Sequence, residues 1–126
     1  MAFVKLFPPK GSDALPIADV IHRLEDEFSI VDADPEKGQD HVADMIVATL
    51  RFSDAIPSKQ EQLARLQSAQ GGAVYVSFGD QRSTMARCCV IPDSELFFDS
   101  PEEIDGPARP LVERAASALG YVVFDG

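Results

Sequence analysis

The sequence predicts an α+β domain in which helices pack against a single mixed β-sheet, with parallel and antiparallel pairs, of about four to six strands. Three observations predict this class. Short apolar runs alternate with a period of two, longer segments carry apolar residues at helical spacing, and turns containing glycine or proline separate them. The predicted order is β-α-β-α-α-β-β-β-α-β. One arrangement with this order is a ferredoxin-like core with an inserted pair of helices.

The first quarter of the chain predicts a strand, a helix and a second strand. Phe3–Phe7 alternates as a strand and stops at a double proline. Apolar residues then recur at helical spacing over 17–28, and either Ser12 or Asp13 can cap this helix. The short apolar run Phe28–Val31 is the second predicted strand.

Two helices are predicted in the middle of the chain. The segment Asp34–Glu36 combines a capping acid, a proline and a second acid, which is typical of a helix start. Because Gly38 weakens the first turn, we expect the regular helix to begin around Asp40. A capping box, Ser58–Glu61, opens the second helix, which is polar and ends at Gly71. The predicted core-facing stripe of the first helix consists of Val42, Met45, Ile46, Thr49 and Leu50.

The second half of the chain predicts a hairpin, a third strand, one helical turn, a helix and a terminal strand. Alternation defines the hairpin, and a capping signal followed by glycine defines the single turn. In chain order these segments are Ala73–Phe78, Ser83–Ile91, Glu95–Asp99, Ser100–Glu103, Leu111–Leu119 and Tyr121–Phe124.

Length and composition indicate one globular domain, residues 1–126. A chain of 126 residues with 45% apolar residues can bury a core without disulfides or metals, so we expect no cofactor. Cys88 and Cys89 are adjacent, which disfavours a bond between them and predicts free thiols in a reducing compartment. No apolar run approaches the ~18 residues of a membrane span. We therefore expect a cytoplasmic protein.

The net charge of −10 is concentrated in two acidic segments, 24–36 and 92–108, neither of which contains a basic residue. Such a surface repels phosphate, so neither nucleic acid nor an anionic membrane is an expected partner. We expect instead another protein, and a basic partner fits this charge best. The predicted binding surface consists of Glu25, Asp26, Asp32, Asp34 and Glu36.

The segment between Asp32 and Asp44 also contains groups that could bind a cation. A calcium loop of the EF-hand type is disfavoured, because Lys37 stands where the turn glycine belongs and Ala43 where the closing glutamate belongs. A looser cation site remains open, and His22 could join it if two helices converged. The candidate metal ligands are Asp32, Asp34, Asp40, His41 and Asp44.

The sequence favours a non-enzymatic protein that binds a macromolecule, since no nucleophile or phosphate-binding motif is present. An inhibitory role like that of immunity proteins fits the size and the charge by analogy. Two alternatives stay open. One is a cation-dependent or hydrolytic enzyme centred on the segment from Asp32 to Asp44, which predicts that these residues line a concavity. The other is a structural homodimer formed through an exposed sheet edge.

Overall fold

The computed structural model describes residues 2–52, 56–69, 72–91 and 95–126, and within them it confirms the α+β class with one sheet. The elements follow the predicted order, and the single turn expected before the last helix is present. In chain order they are β1 (Val4–Phe7), α1 (Ile17–Glu27), β2 (Ile30–Asp34), α2 (Pro35–Phe52), α3 (Ile56–Ala69), β3 (Val74–Gln81), β4 (Thr84–Val90), β5 (Leu96–Phe98), α4 (Pro101–Ile104), α5 (Arg109–Leu119) and β6 (Val122–Asp125).

The six strands lie in the order β2-β3-β4-β5-β1-β6, and every pairing among the described strands is antiparallel. This corrects the expected mixture of parallel and antiparallel pairs. Each β-α-β crossover brings its two strands into the sheet in the same direction, but other strands separate them. β1 lies between β5 and β6, and three strands lie between β1 and β2. The ferredoxin-like core is not confirmed, since a core of that type has one strand between β1 and β2.

The two faces of the sheet are covered by different helices. On one face, Val76 and Phe78 of β3 pack with Leu24 of α1 and Val112 of α5 in the larger core. We call this the α5 face. Tyr75 and its strand neighbours point to the opposite face, the α2 face, because successive side chains of a strand alternate. There the smaller core contains Tyr75 beside fully buried residues: Val42, Leu66, Ala73, Cys89 and Ile91.

Helix α2 begins at Pro35, five residues before the predicted start. Asp34 accepts a hydrogen bond at 3.0 Å from the backbone N–H of Lys37, as a capping side chain does. Gly38 does not interrupt the helix. It lies directly on the start of β3, where an added Cβ would stand 2.6 Å from the carbonyl oxygen of Ala73 and from the Cα of Val74. Glycine is therefore required here by the close approach of two backbones.

Three other boundaries differ from the prediction. Strand β2 begins at Ile30, because Phe28 is buried with its ring centroid 4.8 Å from that of Phe78. Helix α1 takes no cap from Ser12 or Asp13, since Pro16 precedes it and its carbonyl accepts the first helical hydrogen bonds. Helix α3 begins at Ile56, before the predicted capping box. The side chain of Ser58 and the predicted end at Gly71 lie outside the described residues.

Two arginines of α5 connect the layers on the α5 face. Arg114 donates to Glu27 at 3.1 Å and to Asp80 at 2.7 Å, and its guanidinium lies 4.6 Å above the ring of Phe28. Arg109 forms a bidentate pair with Asp125 at 2.7 and 3.0 Å. The first arginine joins α5 to the ends of α1 and β3, and the second joins α5 to β6. Such bidentate and shared pairs fix geometry better than single surface pairs do.

A buried carboxylate closes the sheet where β5 ends. The register pairs Cys89 with Phe97, so the next outward N–H of β4, that of Arg87, lies beyond the last residue of β5. Glu103 of α4 is 2% exposed and accepts that N–H at 2.8 Å through Oε1, while its Oε2 has no hydrogen-bond partner. The carboxylate thus takes the place of a strand carbonyl.

We expect Gly38→Ala to lower the free energy of unfolding by about 1–3 kcal/mol, because the new methyl group would overlap the backbone of β3. Helix propensity alone predicts the opposite sign, a gain of about 1 kcal/mol. Urea denaturation measures the change. Ala48→Gly, at an exposed position of the same helix, measures the propensity effect by itself. A stabilised Gly38→Ala variant would contradict the close packing of α2 on β3.

We expect Glu103→Ala to cost about 1–3 kcal/mol, because the N–H of Arg87 loses its acceptor. Glu103→Gln should cost less, since its amide oxygen can still accept that hydrogen bond. Glu102→Ala is the control at an exposed neighbouring position, with an expected change within about 0.5 kcal/mol. Thermal unfolding of the three variants measures the differences. Equal stabilities of Glu103→Ala and Glu102→Ala would contradict the proposed role of the buried carboxylate.

We expect acid to destabilise the fold through Asp80 and Asp125. The hydrogen bond from Arg114 lowers the pKa of Asp80, and the hydrogen bond from Arg109 lowers the pKa of Asp125. Because both pKa values are lower in the folded state, this stabilisation is complete above the unfolded value of about 4 and is lost as the pH falls through the folded values. The variant Asp80→Asn/Asp125→Asn should therefore show a shallower fall of Tm below about pH 4. An acid dependence equal to that of the unchanged chain is the contrary result.

Candidate protein-binding surface

The outer side of α2 carries a row of three carboxylates. Glu36, Asp40 and Asp44 are spaced four residues apart, so they lie on one side of the helix over about 12 Å. Gly38 and Val42, which lie on the opposite side, are buried against the sheet. All three carboxylates are exposed. We call these three residues the acidic stripe.

The acidic stripe is not neutralised. Within the described part of the chain, Glu36, Asp40 and Asp44 form no ion pair. Several other carboxylates do have basic partners, which leaves the negative charge of α2 uncompensated. The pairs with lysine or arginine among the described residues are Lys5–Glu95, Arg82–Asp32, Arg109–Glu113, Arg109–Asp125, Arg114–Glu27 and Arg114–Asp80.

Two exposed apolar side chains continue the same side of α2. Val47 is 48% exposed and Leu50 is 54% exposed. Helical spacing places Val47 one turn beyond Asp44 and Leu50 one further turn along. The surface of α2 therefore changes from negative charge to apolar side chains along the helix axis. We call Val47 and Leu50 the apolar end.

Asp32 and Asp34 lie beside the acidic stripe but already have partners. Asp32 is paired with Arg82, and Asp34 caps α2. Both residues line a shallow depression of about 330 Å³, together with Lys37 and Tyr75. The ammonium group of Lys37 lies 4.4 Å above the ring of Tyr75, and partial burial is the main reason why the pKa of Tyr75 is raised. This depression contains both charges and an aromatic ring, and its carboxylates are engaged.

The other two residues of the predicted acidic face lie elsewhere. Glu25 and Asp26 belong to α1, which packs on the α5 face of the sheet, whereas Glu36 opens α2 on the opposite face. Glu25 stands 3.6 Å from Nδ1 of His22. Asp26 lies in a separate depression that Arg23 also lines. The structure therefore groups Asp32, Asp34 and Glu36, and it separates them from Glu25 and Asp26.

The candidate metal ligands do not converge. His41 turns toward the sheet, where its ring lies 5.8 Å from Tyr75 and its Nε2 stands 3.9 Å from Oδ2 of Asp99. Asp40 and Asp44 point outward. Within the described ranges, no group of three or more His, Cys, Asp or Glu side chains is arranged to hold a metal ion. His22 lies on α1, across the sheet from His41.

Sequence reasoning missed Asp99 as the partner of His41. The two residues are far apart along the chain, and they meet because β5 lies beside β4 under the edge of α2. Only the strand order could have indicated this contact. The ring of His41 also lies 6.4 Å from that of Phe97, so the imidazole forms part of the wall between α2 and the uncovered strands.

The two thiols are sealed on opposite faces of the sheet. Cys88 belongs to the larger core and Cys89 to the smaller one. Burial raises the pKa of Cys88 well above its ordinary value, with smaller effects from Cys89 and Glu103. Burial, with a smaller effect from Asp99, raises the pKa of Cys89 to about 12. Neither thiol is therefore a thiolate near neutral pH, the form that nucleophilic chemistry requires.

Comparison of the chain with protein-family models, with curated proteins and with solved structures found no significant match. Among the described helices, none combines the length and apolar character needed to cross a membrane.

Proposed function

We propose that this chain is a non-enzymatic binding domain that recognises another protein through the outer side of α2. The observation that carries the proposal is the uncompensated acidic stripe, which runs directly into the exposed apolar end. The expected partner offers basic side chains next to an apolar patch. Both predicted classes of contact then lie on one rigid helix.

The two parts of this surface have different roles. Burying Val47 and Leu50 against a partner contributes affinity, at about 1.5–3 kcal/mol for a fully buried aliphatic side chain. Each exposed charge pair adds only about 0–1 kcal/mol, because water and salt screen it. The carboxylates of the acidic stripe instead select a basic partner and accelerate the encounter. The apolar end provides most of the binding energy, and the acidic stripe provides the selectivity.

An inhibitory, immunity-like role is one form of this function. A basic surface that acts on nucleic acid or phosphate would be covered by a helix that presents three carboxylates in a row. We also propose a cytoplasmic location, and the two free buried thiols support it, since reducing compartments keep such groups unpaired.

We expect an amphipathic helical peptide with lysine and leucine on one side to bind the chain, and a glutamate–leucine peptide of the same pattern to bind far more weakly. The variant Glu36→Gln/Asp40→Asn/Asp44→Asn should weaken binding of the lysine peptide about 5- to 30-fold, which corresponds to the loss of about 1–2 kcal/mol. Fluorescence anisotropy at low and at physiological salt measures both effects.

The matched control removes the same three charges from α1. Asp19→Asn/Glu25→Gln/Asp26→Asn has the same net charge as the stripe variant, and it should bind the lysine peptide as the unchanged chain does. Equal weakening by the two triple variants would mean that only net charge matters. That result would refute the assignment of binding to α2.

A further inference from the structure

The two edges of the sheet differ in how they are protected. Edge strand β2 carries Asp32 and Asp34, and charged side chains are a common means of preventing strands of other chains from pairing. The opposite edge, β6, carries Val122, which is 42% exposed, and Phe124, which is 47% exposed. Its one charged side chain, Asp125, is held by Arg109 of the same chain.

The backbone of β6 has a defined set of outward hydrogen-bonding groups. Phe3 and Gly126 exchange two hydrogen bonds, of 3.4 and 3.0 Å. Bonded pairs alternate along an antiparallel ladder, so Phe124 and Val122 also bond to β1. The N–H and C=O of Val123 consequently point away from the sheet. Among the described residues, no strand pairs with this side of β6.

We infer that a second copy of this chain pairs with β6 across a two-fold axis at Val123. In this antiparallel register the two copies of Val123 exchange two hydrogen bonds, and Val122 of each copy stands opposite Phe124 of the other. The exposed apolar side chains of the edge thus cover one another. This self-complementarity is the reason to choose a second copy over an unrelated strand.

Charge and side-chain packing support the same register. Asp125 stands opposite Tyr121 of the second copy, so the two Asp125 carboxylates lie about 13 Å apart along the strands. The uncovered strands of the α2 face extend the contact with aromatic rings. Phe124 lies 6.2 Å from Phe3 and 6.2 Å from Phe7, and Phe3 lies 5.6 Å from Phe97. A join of two short strands buries a small area, so the dimer is reversible and concentration-dependent.

Sedimentation equilibrium from about 10 µM to about 1 mM tests the inference. The average mass should rise with concentration from 13.7 kDa toward twice that value. Val122→Glu should weaken the dimer by at least about tenfold, because it places like charges beside each other and against Phe124. Ala33→Glu adds the same charge at an exposed position of the other edge strand, and it should leave the dimer unchanged.

Val123→Pro is a second variant, which removes the outward N–H and keeps the bonds between β6 and β1. It should also abolish the dimer, and thermal unfolding checks that each variant is folded. A mass of 13.7 kDa at every concentration would overturn the inference. So would a dimer that survives both Val122→Glu and Val123→Pro, or one that only Ala33→Glu disrupts.

Discussion

The contact between Gly38 and the backbone of Ala73 and Val74 fixes both the depth and the rotation of α2 on the sheet. With no side chain at this position, the helix axis comes closer to β3 than the usual helix spacing of 8–10 Å between side-chain-bearing elements suggests. The buried side of α2 must then contain Gly38 and Val42. The positions two residues away from each, which include Glu36, Asp40 and Asp44, are forced to face outward.

The acidic residues serve two different purposes, and the distinction rests on their partners. Asp80 and Asp125 are bound by arginines of α5 and hold the elements of the α5 face together. The residues of the acidic stripe have no such partner in the described part of the chain. With 21 acidic and 11 basic residues, some acids must remain unpaired. In this chain an uninterrupted group of them lies along one helix next to exposed apolar side chains.

Local patterns in the sequence were sufficient for the kinds of element and their order. Alternation and helical spacing depend on neighbours within a few residues, so the hairpin of β3 and β4 and helix α5 could be predicted. Features that depend on distant contacts could not be predicted. The strand order, the role of Gly38 and the meeting of His41 with Asp99 all arise from segments that approach only after folding. Asp32 and Asp34 occur in β2 against ordinary strand preference, because an edge strand leaves such side chains in water.

The candidate site was only partly accessible to the same reasoning. The sequence indicated that Asp32, Asp34 and Glu36 belong together, and it also singled out Asp40 and Asp44, but as metal ligands. It could not indicate that Glu25 and Asp26 lie on the other face, since a connection of two residues reverses the chain between α1 and β2. Nor could it indicate which carboxylates already have arginine partners.

The adjacent thiols have one more consequence. Because Cys88 is closed off by α1 and α5 while Cys89 is closed off by α2 and α3, each sulfur becomes reachable only when its own helical layer lifts. The rate at which a thiol reagent modifies each cysteine then reports the opening of one layer, separately from the other. This chain thus contains two natural probes, one residue apart, for asking whether its two halves unfold together or in turn.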